Sequence, residues 1–286
     1  MDAKFWLIQI FNGVSYGALL FLLASGLTLI FGVMRIVNLA HGAYFMLGGY
    51  VALSVIWVSG SWLAALPVAA LAVALVGLVM ERVFLRPLGF DPLRQVLATV
   101  GFAFLFQQGA LDIWGGDPLS IDPPAVLTGS LIVGELHLPV YRMFMIASAA
   151  AIGLVLWLAI ERTRLGALVR AAVDDAEMAR GVGIDTSRVS MFIFALGAFL
   201  AALGGVIGGG FLGVYPGLDF EILPIAFAVV IIGGMGSLAG AAVGSMLVGL
   251  ADNFGKALFP ELAYFSLYAP MVLILAVKPT GLLGRE

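Results

Sequence analysis

Four polar side chains interrupt the apolar stretches near the start of the chain and are the first candidates for chemistry. Asn12 and Tyr16 fall in the first stretch, and Asn38 and His41 fall at the start of the second. Polar groups are costly in apolar surroundings, so they commonly serve a solute pathway or an interhelical hydrogen bond. Asn38 is placed to cap a helix that His41 begins. We predict that all four line a pathway, with a satisfied structural role as the alternative for His41.

Further polar residues fall near the predicted ends of apolar stretches. Those within two of the stretches are expected to form interhelical bonds or a wet rim: Gln107, Gln108, Asp112, Asp252 and Asn253. Asp219 and Glu221 lie where the chain enters another stretch. A solvated loop and a contact with basic residues of a partner protein are both open interpretations for this pair.

Several kinds of chemistry lack the residues they need. The nucleotide-binding pattern G-x-x-x-x-G-K-[ST] is absent, because Gly255-Lys256 is followed by Ala257. The chain has 0 Cys and 2 His, so we expect no disulfide, no metal site and no cofactor. The net charge of −3 says little about partners, but Lys is scarce and nothing in the sequence resembles a nucleic-acid-binding patch. Paired catalytic groups are also missing, so we predict that the chain is not an enzyme.

The composition indicates which elements carry these residues. Hydrophobic residues make up 62% of the chain, charged residues make up 11%, and the mean hydropathy is +1.12. A soluble domain carries roughly 25% charged residues, so this chain needs lipid as its solvent. We predict an all-α polytopic membrane protein with a single domain over residues 1–286. It has about eight hydrophobic segments, of which the first is expected to be retained: Phe5–Phe31, Gly42–Val58, Trp62–Met80, Val96–Trp114, Tyr141–Ile160, Val189–Gly213, Ile222–Phe254 and Tyr264–Val277.

The seventh segment is too long for one crossing and is interrupted by the run GGMGS. We predict a broken helix here, with a short first piece and a longer second piece. Broken helices at membrane depth survive where the freed backbone groups meet protein or water, and such breaks often face a translocation route. The predicted pathway residues of the break are Gly233, Gly234, Gly236 and Ser237.

The distribution of Arg and Lys predicts the orientation, because these residues accumulate on the cytoplasmic side of a membrane. One threading places most of the 14 basic residues there: Arg35, Arg82, Arg86, Arg94, Arg162, Arg164, Arg170, Arg180, Arg188, Lys278 and Arg285. The opposite side then receives Asp117, Asp122, Glu135, Asp219, Glu221 and Glu261. The N-terminus is therefore predicted outside and the C-terminus in the cytoplasm.

Two polar segments connect the hydrophobic ones. Residues 161–188 contain Leu165–Val182, whose apolar residues recur at three- and four-residue steps and predict an amphipathic helix ended by Gly181 and Gly183. Its apolar stripe is mostly Ala, which suits docking into the groove of a partner, and a solvated connecting helix is the alternative. Residues 115–139, on the opposite side, contain Asp117-Pro118, Pro123-Pro124 and an alternating run, Leu131–Leu138, which predict a hairpin or a lid.

A family resemblance rests on several motifs. Residues 164–185 read RLGALVRAAVDDAEMARGVGID and resemble the cytoplasmic loop of ABC-importer permeases, in the branched-chain amino acid branch. The importer loop signature, Glu-Ala-Ala and a spaced Gly, is matched loosely by Asp175-Ala176-Glu177 with Gly183. Six further runs are similar to family features in the same order, so that the resemblance covers nearly the whole chain: residues 16–19, 25–32, 38–42, 86–88, 233–237 and 278–282.

The resemblance implies a permease subunit of an ATP-driven ABC importer that moves branched-chain amino acids across the cell inner membrane by alternating access. Residues 161–188 would be the coupling-helix loop, and residues 115–139 would lie in the periplasm. The implied ATPase-docking residues are Leu168, Ala172, Asp175, Ala176, Ala179 and Gly183. The implied partners are a second homologous permease, two ABC ATPase subunits, a periplasmic substrate-binding protein and membrane lipid. A permease for urea or short amides, an ion-coupled secondary transporter and a channel are the alternatives.

Overall fold

Eleven α-helices make up most of the computed structural model, which describes residues 2–89 and 91–284. They are α1 (Ala3–Met34), α2 (His41–Ser59), α3 (Trp62–Val79), α4 (Pro92–Trp114), α5 (Val140–Arg162), α6 (Arg164–Asp174), α7 (Ala176–Gly181), α8 (Thr186–Leu212), α9 (Leu218–Gly233), α10 (Leu238–Leu258) and α11 (Ala263–Val277). A π-helical turn (Met80–Leu85) and a 3₁₀ turn (Arg86–Leu88) extend α3. Two shorter 3₁₀ turns are Ala125–Leu127 and Pro260–Leu262. Strands β1 (Ser130–Val133) and β2 (Leu136–Pro139) pair antiparallel.

Within the described residues, seven helices are long and apolar enough to cross a membrane. They are α1, α2, α3 with its extension, α4, α5, α8 and α10. Helices α9 and α11 are shorter, with 16 and 15 residues. Helices satisfy their own backbone hydrogen bonds, which is why they can span lipid. The prediction of an all-α polytopic membrane protein is confirmed, although the apolar stretches divide into seven long helices and two short ones.

Helix α1 lies at the centre of the bundle, between α8 and α10. Glycines bring its backbone against both neighbours. A Cβ on Gly26 would lie 2.5 Å from the carbonyl oxygen of Gly197 on α8, and a Cβ on Gly249 of α10 would lie 2.5 Å from that of Gly13. Such close backbone approach gives the van der Waals contact that holds helices together in lipid. Glycines therefore pack α1 closely against α8 and α10 within the chain.

The helices end at two distinct ends of the bundle. At one end the start of α1 meets α5 and α10, through Asn12 with Arg142 and Gln9 with Asn253. We call this the acidic end, and it also carries the β hairpin, where Lys4 pairs with Glu135 at 3.3 Å. We call the opposite end the basic end. It carries the Arg and Lys residues that the sequence analysis assigned to the cytoplasmic side, apart from Arg285, which lies outside the described residues. The C-terminal segment closes this end, where Leu282 N–H donates to the Ile232 carbonyl at 2.9 Å.

Two crossings are broken inside the bundle. After α1 the chain turns back, and the Nε2 atom of His41 lies 3.0 Å from the Leu23 carbonyl oxygen. Leu23 precedes the end of α1 by about 16 Å at the usual helical rise, so α2 begins within the bundle. Helix α9 begins at the same depth, because a Cβ on Gly42 would overlap the carbonyl oxygen of Asp219. The first turns of α2 and α9 therefore meet inside the protein.

The two halves of the chain share one plan in opposite directions. Helix α1 is followed by the returning segment 35–40 and by α2, which runs to the acidic end, where Ser54 accepts a hydrogen bond from Trp114 at 2.8 Å. Helix α8 is followed by the returning segment 213–217 and by α9, which runs to the basic end. This inverted arrangement is common among transporters, where it places the broken helices together.

The segment 161–188 forms two helices, so the prediction of a single helix over Leu165–Val182 is wrong. The break falls at Asp175, whose backbone is extended and whose Oδ1 atom accepts from the N–H groups of Glu177 and Met178, both at 2.9 Å. Asp side chains compete with helical backbone bonds in this way and start a new helix instead. The hairpin predicted within residues 115–139 is confirmed by the pairing of β1 with β2.

Candidate functional site

A buried polar junction lies where α2 and α9 begin. The Oδ1 atom of Asn38 accepts from the Ala40 N–H at 3.1 Å. The prediction that Asn38 caps α2 is wrong, because a turn at residues 39–40 separates it from the helix and the N-cap is Ala40, which makes no side-chain cap hydrogen bond. His41 is fully buried and contacts the Leu23 carbonyl, so its Nε2 atom is the donor. Among the described residues, Asn38 Nδ2, His41 Nδ1 and both Asp219 carboxylate oxygens have no hydrogen-bond partner. The junction therefore concentrates unused polar groups at the contact between two helix starts.

Asp219 is the residue that the sequence interpretation misplaced most. Neither a solvated loop nor a surface contact fits, because Asp219 is only 2% exposed. It lies in the first turn of α9, where the free N–H groups of the helix start favour a negative charge. The returning segment 213–217 places it there, and the apolar residues around that segment gave no sign of its depth. Glu221, its predicted companion, is exposed.

The glycine-rich break is a tight turn at the basic end, away from the buried junction. The Gly236 N–H donates to Thr28 Oγ1 at 3.1 Å, near the end of α1. Gly234 has φ +103°, a conformation that favours glycine, and a Cβ on it would lie 2.5 Å from Gly284 Cα. Ser237 caps α10 by accepting from the Gly240 N–H at 3.0 Å. Gly233, Gly234, Gly236 and Ser237 thus have packing contacts, and their pathway role stays a prediction.

A cavity of about 600 Å³ opens between α1, α9, α10 and α11 near the acidic end. Its polar lining consists of Tyr16, Tyr215, Glu221, Asp252, Lys256 and Tyr268. The sequence interpretation selected Tyr16, whereas Asn12 instead accepts a hydrogen bond from Arg142. It missed Lys256, although the four-residue spacing from Asp252 was a usable signal. The cavity is the place where charged groups from different helices share a space large enough for a small solute.

The α6–α7 segment is anchored to the end of α5. Thr163 caps α6 by accepting from the Gly166 N–H at 3.1 Å. Arg170 donates to the Ile160 carbonyl and lies 3.7 Å from the Glu161 carboxylate. These bonds join α6 to the end of the membrane-length helix α5.

Only part of the predicted docking set faces outward. Ala172 and Ala179 are 4% and 3% exposed and pack within this chain, so their side chains cannot touch a partner. Ala176 is half-buried, Asp175 caps α7, and Gly183 follows α7 with φ +89°. The outward apolar surface of the segment is formed by Leu165, Leu168, Met178 and Val182. The pattern identified an apolar stripe, but it could not tell the side that meets the bundle from the side that is free.

Membrane-length helices, broken crossings that meet inside the bundle and a polar segment at one end define the class of the protein. It is a polytopic membrane protein. The sequence profile of the permease component of branched-chain amino acid transport systems matches residues 9–275. The chain belongs to this permease family, and it is a multi-pass protein of the inner membrane.

The curated relatives cover almost the full chain. The high-affinity branched-chain amino acid transport system permease protein LivH of Escherichia coli is 33% identical over 98% of this chain and 96% of its own length. BraD of Pseudomonas aeruginosa, which carries the same description, is 30% identical over the same shares. The ribose import permease protein RbsC of Escherichia coli is 25% identical over 95% of this chain and 84% of its own length. No solved structure matches the chain.

Proposed function

We propose that this chain is the membrane-spanning permease subunit of an ATP-driven ABC importer, which moves branched-chain amino acids into the cytoplasm by alternating access. The observation that carries the proposal is the family match over residues 9–275, together with full-length relatives described as permeases for these amino acids. The fold supports it, because broken crossings are common where a substrate route passes through a bundle.

The orientation follows from the two ends of the bundle. The basic end faces the cytoplasm, since Arg and Lys accumulate on that side of membrane proteins. The acidic end, with the β hairpin and the cavity, then faces the periplasm, where a substrate-binding protein delivers the amino acid. This orientation places the N-terminus in the periplasm and the C-terminus in the cytoplasm.

Energy comes from partner subunits, because the sequence has no phosphate-binding loop. Two ATPase subunits dock on α6–α7 of this chain and of a second homologous permease. Leu168, Met178 and Val182 form the contact, and Asp175 and Gly183 fix the shape of the segment. Ala172, Ala176 and Ala179 hold it against the bundle. The bonds between α6 and α5 transmit the motion of the ATPase pair to the membrane helices.

The route itself passes from the acidic-end cavity toward the buried junction. Tyr16 lines the cavity, and Asn12 holds its neighbour Arg142. Asn38 and His41 are fully buried in this conformation, so the route at their depth is closed. The turn formed by Gly233, Gly234, Gly236 and Ser237 is the hinge between α9 and α10 at the cytoplasmic end. Movement of the returning segments opens the route.

One observation favours a second candidate, an ion-coupled carrier. Such a carrier needs a carboxylate deep in the core, and Asp219 is a buried carboxylate without a hydrogen-bond partner among the described residues. The two candidates differ in their energy source. Uptake that depends on internal ATP and survives a protonophore supports the importer, whereas uptake that an ion gradient drives without ATP supports the carrier.

Co-purification tests the importer proposal directly. The tagged chain is expected to carry an ABC ATPase through purification, and Val182→Asp is expected to release that ATPase, because Val182 is 71% exposed on the docking segment. Val126→Asp is the matched control, since Val126 is 83% exposed near the opposite end. Co-purification of no ATPase by the unaltered chain, or retention of the ATPase by Val182→Asp, would contradict the proposed docking.

A further inference from the structure

The acidic-end cavity contains both signs of charge on separate helices. Lys256 Nζ lies 2.7 Å from Asp252 Oδ2 and 5.6 Å from the ring centre of Tyr16. On the other wall, Tyr215 donates to Glu221 Oε2 at 2.7 Å. The cavity therefore offers one ammonium group, paired with the Asp252 carboxylate beside α1, and a second carboxylate, Glu221, at the start of α9. The Lys256 side chain is 61% exposed and Glu221 is exposed, so a ligand can reach both groups and exchange with their present partners.

The remaining wall of the cavity is apolar. Ile222 and Ile225 come from α9, and Leu267 comes from α11. Aliphatic side chains bind in such places by leaving water, in proportion to the apolar area that they bury. No Asp or Glu other than Asp252 and Glu221 lines the cavity in the described part of the chain. The apolar wall therefore suits an uncharged aliphatic group.

We propose that this cavity is a transient site for an aliphatic α-amino acid in its zwitterionic form. Lys256 binds the carboxylate of the ligand, and Glu221 and Asp252 bind its ammonium group. Ile222, Ile225 and Leu267 contact the branched side chain. The site rests on the proposed function for its ligand class, and it adds a stage at which the permease itself recognises both charges of the substrate.

The position of the cavity gives the site a mechanical consequence. Tyr215 lies on the returning segment 213–217, and Glu221 lies in the first turn of α9. When the ligand ammonium group takes the carboxylate of Glu221, the hydrogen bond from Tyr215 is exchanged. Binding therefore changes a contact between the returning segment and α9, which together form one of the two broken crossings.

The site is tested by binding of L-leucine to the full chain in lipid nanodiscs, measured by saturation-transfer NMR. The probes 4-methylpentanoate and isoamylamine each keep one of the two charges and the branched chain. Glu221→Gln and Lys256→Gln remove one protein charge each, and Lys256→Arg keeps it. Glu261→Gln and Lys4→Gln are matched controls, because both residues are exposed near the same end and outside the cavity.

We expect L-leucine to bind the unaltered chain. Each single-charge probe is expected to bind at least about tenfold more weakly than L-leucine, because it loses a charge-assisted hydrogen bond. Glu221→Gln and Lys256→Gln are expected to weaken leucine binding by a similar factor, and Lys256→Arg and both controls are expected to retain it. Lys256→Gln leaves Asp252 buried without its cation. If the Lys256→Gln variant misfolds, the test is decided by Glu221→Gln, which changes an exposed residue. Equal binding of L-leucine and of both single-charge probes, or unchanged leucine binding in Glu221→Gln, would overturn the site.

Uptake by the reconstituted complex separates this site from the proposed function. ATP-driven leucine uptake by a chain that shows no charge-dependent leucine binding overturns the site and leaves the importer intact. Charge-dependent leucine binding by a chain whose complex shows no ATP-driven uptake supports the site and overturns the importer.

Discussion

A single methyl group added at Gly166 tests how firmly α6 is held against α5. A Cβ on Gly166 would lie 2.5 Å from the Ala159 carbonyl oxygen and would overlap that of Ile160. Ordinary carbon–oxygen contacts are about 3.3–3.6 Å, so Gly166→Ala forces α6 outward by at least about 1 Å. The same shift weakens the bond from Arg170 to the Ile160 carbonyl. Crowding of this kind costs about 1–3 kcal/mol.

The proposed coupling predicts a specific defect in the Gly166→Ala variant. The complex is expected to hydrolyse ATP, but the amount of substrate moved per ATP is expected to fall at least about fivefold. A coupling loss of about 1 kcal/mol corresponds to a factor of about five. The assay is the ratio of uptake to phosphate release in proteoliposomes. Gly181→Ala is the matched control, because open space surrounds that position on α7. A Gly166→Ala variant that inserts fully and keeps the normal ratio would refute the reasoning.

Three further changes probe the bundle. Gly205→Ala is expected to lower the free energy of unfolding of the chain in detergent by about 1–3 kcal/mol, because a Cβ would overlap the Phe45 carbonyl oxygen. Gly109→Ala is the control and should have no effect, since that position faces open space. Asn38→Ala removes the hydrogen bond to the Ala40 N–H in the turn before α2, and a loss of about 1 kcal/mol is expected in the same assay; unchanged stability would show that this hydrogen bond does not hold the turn. Arg170→Gln is expected to lower substrate moved per ATP in the direction of Gly166→Ala, and a normal ratio would show that the bond between α5 and α6 is not used.

Much of the fold is visible in the sequence because lipid imposes simple rules. Apolar stretches of membrane length become helices, and Arg and Lys gather at one end of the bundle. The β hairpin is predictable for a local reason, since its alternating run and turn residues lie next to each other. In each case the signal lies within one segment or in composition alone.

The broken crossings could not be predicted because their signals are tertiary. Residues 35–40 and 213–217 are largely apolar, so their return into the bundle does not change the composition. The break at Gly233–Ser237 is visible as a run of glycines, but its depth is set by contacts with Thr28 and the C-terminal segment. Depth therefore needs the packing partners, which lie far away in the sequence.

The residues of the candidate sites also differ in whether their signal is local in the sequence or depends on tertiary packing. Tyr16, Asn38 and His41 stand out because each is polar in an apolar stretch, and two of these three are at the buried junction. Lys256 was missed because a cation near the end of a helix resembles an ordinary surface residue, and only packing shows that it faces Glu221 across a cavity. Ala172 was correctly predicted in an apolar stripe, but its side chain packs within this chain, whereas Leu165, Leu168 and Val182 of the same stripe are exposed.

Site-directed labelling tests the central claim, that the basic end and the α6–α7 segment face the cytoplasm. The chain has 0 Cys, so Met178→Cys and Glu135→Cys each introduce a single reactive thiol, at opposite ends of the bundle. A membrane-impermeant maleimide is expected to label Glu135→Cys in spheroplasts and Met178→Cys only in inverted vesicles. Labelling of Met178→Cys from outside the cell would contradict the orientation and the ATP-driven mechanism that depends on it.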